Sequence, residues 1–274
     1  MSAFKYTNKL QNARVLVVGG SSGMGFAVAE AAVEHGAIVT IASSTQAKLD
    51  KAVARLQEHA RAVNVSPDTI TSAVVDLSKA DTIDEQAIKM LDVATKDGKL
   101  DHIVFSAGDS FTPKPLPEVS VQEYQQLMMV RAMAPMVIAK YVNKYMNVST
   151  KSSITVTSGT VSWRPPRGWA TIAAVGSMIE GLTRGLASDL RPVRVNCVTP
   201  GVIRTEMFDG MPAEHLPMIM DTMAKESILG TVGTPQEIAE AYLYCMKDSF
   251  ATSIVIESSG GRLVGDSKPD MFGN

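Results

Sequence analysis

The stretch from Arg14 to Gly25, Arg-Val-Leu-Val-Val-Gly-Gly-Ser-Ser-Gly-Met-Gly, narrows more than any other what this chain can become. Its short branched apolar run, Val15 to Val18, reads as a buried strand. The run enters glycines at Gly19, Gly23 and Gly25, and helical spacing follows from Phe26 until Gly36. Strand, glycine turn and helix in this order set backbone N–H groups and a positive helix end against a pyrophosphate. Glycine is needed because a side chain would hold the phosphates off the backbone. Glycines alone would make an ordinary tight turn. With strand and helix on either side, the segment predicts a dinucleotide site formed by Gly19, Ser21, Ser22, Gly23, Met24 and Gly25.

Alternation continues to the end of the chain. Strands are predicted at 37–42, 72–75, 102–105, 153–157, 193–198 and 253–257, and helices at 46–60, 81–96, 121–146 and 173–189. Thr234-Pro-Gln-Glu opens a last helix with a capping box and a proline at its first position. Strands separated by helices need crossover connections, which predicts an α/β fold: a doubly wound, parallel, seven-stranded sheet with helices on both faces. The chain has no linker, repeat or low-complexity segment, so residues 1–274 form a single domain. Ligands of such a sheet sit at the carboxyl ends of its strands.

Composition excludes several classes. Apolar residues make up 45% of the chain, yet no eighteen of them run together without charge, so a membrane partner is not expected. A net charge of −2 gives no reason to expect nucleic acid. Cys197 and Cys245 are isolated, have no metal spacing, and read as small core residues of a reducing compartment. Residues 1–9 contain no apolar signal-peptide core, which makes the cytoplasm the expected location.

Four strand ends now line up: the glycine turn, Ser43-Ser44, Asp76-Leu77 and Ser106-Ala107-Gly108. With Pro200-Gly201-x3-Thr205, these segments resemble the short-chain dehydrogenase/reductase family, of Rossmann type, over nearly the whole chain. The resemblance implies that Asp76 and Leu77 lie at the adenine, Ala107 and Gly108 at the nicotinamide ribose, and Pro200, Gly201, Ile203 and Thr205 at the carboxamide and phosphates. It also implies a homodimer or homotetramer, in which the apolar helices 121–146 and 173–189 pair with symmetry mates.

The end of the second strand bears on cofactor choice. An Asp or Glu there accepts from the ribose hydroxyls of NAD. This chain has Ala42, Ser43, Ser44 and Thr45 instead, with Lys48 one turn on. Hydroxyls donate to a 2′-phosphate that a carboxylate would repel, so NADP(H) is expected, unless the serines only cap the next helix.

The resemblance places the family's catalytic Tyr at Ile172, its Lys at Gly176, its Asn at Arg131 and its Ser at Ser158 or Gly159, so that of the set only Ser158 could survive. Neither Tyr nor Lys occurs anywhere from 160 to 183, so the ordinary carbonyl reductase mechanism has lost its acid. Arg131, Ser158 and Trp169 become the candidate catalytic residues, Arg131 also touching the cofactor. Arg131 is either a solvated side chain or a cleft group that binds an oxygen bidentately. Trp169 is either core or an aromatic wall over a planar substrate. Residues 204–226, rich in Met around Gly210 and prolines, suit either a core filler or a mobile lid over a small, largely apolar molecule.

Thr157-Ser-Gly-Thr, Pro165-x-x-Gly168-Trp169, Arg184-Gly-Leu-Ala-x-Asp189 and Arg131 together are similar to a fungal branch of the family. That branch includes the bifunctional reductase/Diels–Alderases of indole alkaloid biosynthesis, which carry an Asp where this chain has Pro166. Three functions follow as expectations: an NADPH-dependent reductase of an iminium or other activated electrophile, a cofactor-bound non-redox cyclase or isomerase, and a non-catalytic NADP(H)-binding protein.

Overall fold

Each apolar run is a strand, and all seven lie parallel in one sheet in the order β3-β2-β1-β4-β5-β6-β7. The computed structural model describes residues 5–108 and 111–267. Its strands are β1 (Arg14–Val18), β2 (Ile38–Ser43), β3 (Ile70–Val74), β4 (His102–Phe105), β5 (Ser153–Thr157), β6 (Arg194–Pro200) and β7 (Val255–Ser258). The principal helices are α1 (Gly23–Glu34), α2 (Gln46–Ala62), α3 (Ile83–Ala94), α4 (Val121–Met128), α5 (Ala134–Ala139), α6 (Val142–Tyr145), α7 (Ala170–Asp189), α8 (Leu216–Ala224) and α9 (Pro235–Lys247). Residues 1–4 of the expected domain, and of the signal-free N-terminus, lie outside the described residues, as do 109–110 and 268–274.

Side chains alternate across a strand, so each apolar run feeds two cores. Leu16 and Val18 pack with Met90 of α3, Ile138 of α5 and Val175 of α7. Val15 and Val17 face the other way, onto Val28 of α1, Leu56 of α2 and Tyr242 of α9. Leu16, Val28 and Leu56 are fully buried, each worth about 1.5–3 kcal/mol of transfer free energy. Both faces are therefore covered, as a parallel sheet requires.

Strand order reverses at β1, which pairs with β2 on one side and β4 on the other. Val18 lies level with Ala42 and with Phe105. The segments that follow these three strands thus leave the sheet together, and a crevice opens between them.

One expected element is corrected. The helix predicted over 121–146 is broken into α4, a π-helical turn at Met129–Met133, α5 and α6. The cause is Pro135. It has no N–H to give the carbonyl four residues back, that of Arg131, and its ring crowds the same carbonyl. The turn widens there, and such widened turns recur at functional sites. Among the described residues, no helix is long and apolar enough to cross a membrane.

Candidate active site

The glycine turn is a cradle made of backbone. A Cβ on Gly19 would stand 2.6 Å from the Ala107 nitrogen, and one on Gly25 would stand 2.3 Å from the Gly19 oxygen. Both distances are impossible, so the ends of β1 and β4 approach only because these residues lack side chains. At the head of α1, Ser22 is the cap residue and its side chain makes no capping bond; the first turn holds no acidic residue. Thr205 closes onto the turn, its methyl 3.3 Å from a Cβ built on Gly23. The Gly23 N–H donates to a carboxylate oxygen of Glu206 at 2.8 Å. The cradle already holds an anion, which is the chemistry a dinucleotide's diphosphate needs.

Ser21 donates to Ser43 across the turn at 3.0 Å, tying the glycine loop to the end of β2. Ser44 is exposed. Neither serine caps α2, whose cap residue is Thr45, without a side-chain bond. Asp76 accepts from the Ser78 hydroxyl at 2.6 Å and from its N–H at 3.0 Å. These bonds, the hydroxyl first, hold the Asp76 carboxyl below the usual carboxylate range. The Leu77 side chain lies in the core. Pro200 is buried, and Gly201 leaves no room for a Cβ, which would sit 2.8 Å from the Ser259 Cα. Ile203 bridges to Gly233, which fixes the segment that carries Thr205.

At β4 the widened turn brings Arg131 over Gly108, where a Cβ would lie 2.6 Å from the guanidinium carbon. Arg131 is half-buried.

Beyond β5, one face of α7 presents Ile172, Gly176 and Glu180, a stripe spaced by four residues. Ser158 Oγ lies 3.1 Å from the Gly176 carbonyl and 3.2 Å from a Glu180 carboxylate oxygen. The same oxygen accepts from Ser162 at 2.6 Å, and both Glu180 oxygens accept from the Trp163 indole N–H at 3.0 Å. Glu180 is only 5% exposed. Sequence reading passed over Glu180, Ser162 and Trp163, although an acid one turn beyond Gly176 on an apolar stripe was the available signal. A Cβ on Gly176 would meet the Ser162 Cβ at 3.0 Å and Ser158 Oγ at 3.1 Å. Glycine thus gives its space to the two serines.

Tyr242 reaches Thr157 at 2.7 Å but is fully buried, and burial raises its pKa further. Burial likewise pushes the Cys197 and Cys245 thiols up to about 12, which leaves them inert.

Trp169 stands edge-on to Phe111, with ring centroids 5.3 Å apart. Beside it an open, mainly apolar groove of about 540 Å³ is lined by Pro113, Pro115, Leu116, Pro117, Gly168 and Thr171, together with the cationic residues Lys114 and Arg167. The segment 204–226 consists of a short 3-10 turn (Glu206–Gly210) and α8, with Met207 and Met218 exposed. It is held at its far end by Glu226, which accepts from Arg262 Nη2 at 2.9 Å and Nε at 3.1 Å; Arg262 is itself buried.

Residues 6–264 match the family described as SDR-like Rossmann domain. The chain is 38% identical over 255 residues to the short-chain dehydrogenase/reductase malC of Malbranchea aurantiaca, covering 93% of this chain and 96% of that one. It is 37% identical over 264 residues to the short-chain dehydrogenase/reductase ucsE of an Acremonium species, covering 96% and 99%. The solved structure of the MalC reductase/Diels-Alderase superposes with a TM-score of 0.90, covering 95% of this chain and all of that one.

Proposed function

The chain belongs to the short-chain dehydrogenase/reductase family, and on that premise we propose that it is an NADPH-dependent reductase of an iminium, imine or similarly activated electrophile. The anion-holding glycine cradle and the serines that end β2 without capping α2 support the cofactor reading. Gly19, Gly23, Gly25 and Thr205 would hold the diphosphate, Ser43 and Ser44 the 2′-phosphate, and Ala107, Gly108 and Arg131 the nicotinamide end. Bound there, the reduced nicotinamide supplies a hydride.

The observation that carries the substrate reading is the polarity of Ser158. A hydroxyl has one proton, and both groups within its reach, the Gly176 carbonyl and the Glu180 carboxylate, only accept. The proton turns inward, so lone pairs remain for a substrate. A ketone gathers negative charge on oxygen during reduction and needs donors or an acid. An iminium N–H needs an acceptor. Its carbon loses a positive charge on reduction and leaves a stable amine without an acid. The apolar groove and the methionine-rich segment 204–226 suit a small, largely apolar substrate of secondary metabolism, the segment acting as its lid.

The test is turnover of matched cyclic imines and ketones with deuterated NADPH and with NADH. Imines are expected to react at least about 100-fold faster, and NADPH to bind about tenfold more tightly than NADH, or ~1.4 kcal/mol. Ketone reduction at ordinary rates that survives Ser158→Ala would reveal an acid elsewhere and sink the reading.

A second reading has the same groove guide a cycloaddition, favoured by the reductase/Diels-Alderase at TM-score 0.90. Pro166, in place of the Asp of that branch, argues against it. Its mark would be product formation without NADPH consumption; a protein that only holds the cofactor would show neither.

We also propose association into a homodimer or homotetramer through α4 and α7, where Val121 is 67% exposed and Gly181 and Gly185 present open backbone. A light-scattering mass of one chain at micromolar concentration would remove this proposal.

A further inference from the structure

Glu206 stands at a junction between two parts of the molecule. One of its carboxylate oxygens accepts from the Gly23 N–H at 2.8 Å, on the first residue of α1. The other faces the Arg55 guanidinium of α2 at 3.9 Å. The Arg55 guanidinium itself lies 4.0 Å above the Phe26 ring. The three elements form an anion site: a helix N-terminus, a backbone donor and a stacked cation, filled by a side chain of the protein. That side chain is the first residue of the segment leading to α8. The far end of this segment is held by Glu226 on the buried Arg262, whereas Glu206 and Arg55 are both about half exposed. The Glu206 end is the weaker attachment.

We propose that Glu206 and Arg55 form an exchange site for the diphosphate of the cofactor. Glu206 competes with the diphosphate for the Gly23 N–H, and the incoming diphosphate displaces it and takes Arg55 as its cation. The proposal rests on the reading of the glycine turn as a dinucleotide site. Two anions cannot share one N–H at the head of α1, so cofactor entry requires the carboxylate to leave. Its departure frees the near end of the segment 206–224 while the far end stays clamped. Cofactor binding therefore precedes rearrangement of the lid.

The experiment is titration of the full chain with NADPH and NADH, followed by cofactor fluorescence at fixed ionic strength, with melting temperatures as a check on folding. Glu206→Ala is expected to lower both dissociation constants by about fivefold, the size of an exposed charge contribution at a helix end. Glu206→Gln keeps an acceptor for Gly23 without the charge and should fall between. Arg55→Met keeps the apolar stem over Phe26 and should raise both constants by a similar factor. Equal factors for the two nucleotides are the signature, because they share the diphosphate and differ only at the 2′-phosphate.

Unchanged constants in Glu206→Ala overturn the competition, and weaker binding there overturns it too, by making Glu206 a cofactor contact. A loss confined to NADPH in Arg55→Met overturns the diphosphate pairing. If the unmutated chain binds neither nucleotide, the dinucleotide reading itself has failed; variants without effect on a chain that does bind remove only this inference.

Discussion

The glycine turn after β1 is built by backbone approaching backbone, whereas the stripe beyond β5 is built by side chains meeting one another. Both ends use glycine, for different reasons. Gly19 and Gly25 let main chain touch main chain, at distances where a Cβ would lie 2.6 Å and 2.3 Å from backbone atoms. Gly176 makes room for Ser158 and Ser162, whose side-chain atoms would lie 3.0–3.1 Å from its Cβ. A site of backbone N–H groups keeps its chemistry so long as the chain path is kept. A site of side chains changes chemistry whenever one residue is exchanged. Here Ile172, Gly176 and Glu180 present an apolar residue, a gap and a buried acid along one stripe, while the cradle at the other end retains its glycines.

The same substitution at the two ends probes this difference most directly. Gly25→Ala is expected to destabilise the fold by about 3 kcal/mol, as overpacking against fixed backbone does, and to abolish cofactor binding. Gly176→Ala is expected to change stability by less than about 1 kcal/mol, because the gain in helix propensity offsets the crowding of two serines. Denaturant unfolding and NADPH titration of both variants measure the contrast. Similar losses at the two positions would break the comparison.

A smaller effect separates the ends by function. Arg131→Ala is expected to lower turnover by about 100-fold, the usual scale for one charged group at a reacting centre, with the NADPH dissociation constant within about threefold. The guanidinium lies over Gly108, which motivates that split. A fall in melting temperature with turnover intact would make Arg131 a structural residue and blur the division.

The sequence by itself determined the sheet, its parallel sense and the cradle. These follow from local pattern: strands and helices alternate, and Gly19, Gly23 and Gly25 have few uses other than close backbone approach. It also determined that no Tyr or Lys is available from 160 to 183. Only the tertiary structure decided what took over, because hydrogen bonds between residues far apart leave no periodic trace. Glu180 becomes a functional candidate only when β5 and α7 set Ser158 within 3.2 Å of it. Arg131 reaches Gly108 through a turn widened by Pro135, a break that the apolar spacing of 121–146 concealed. Glu206 meets Gly23 across 183 residues of chain. Local pattern fixes where backbone goes; which side chains then meet is set by how the elements pack, and the chemistry of this cleft resides in those meetings.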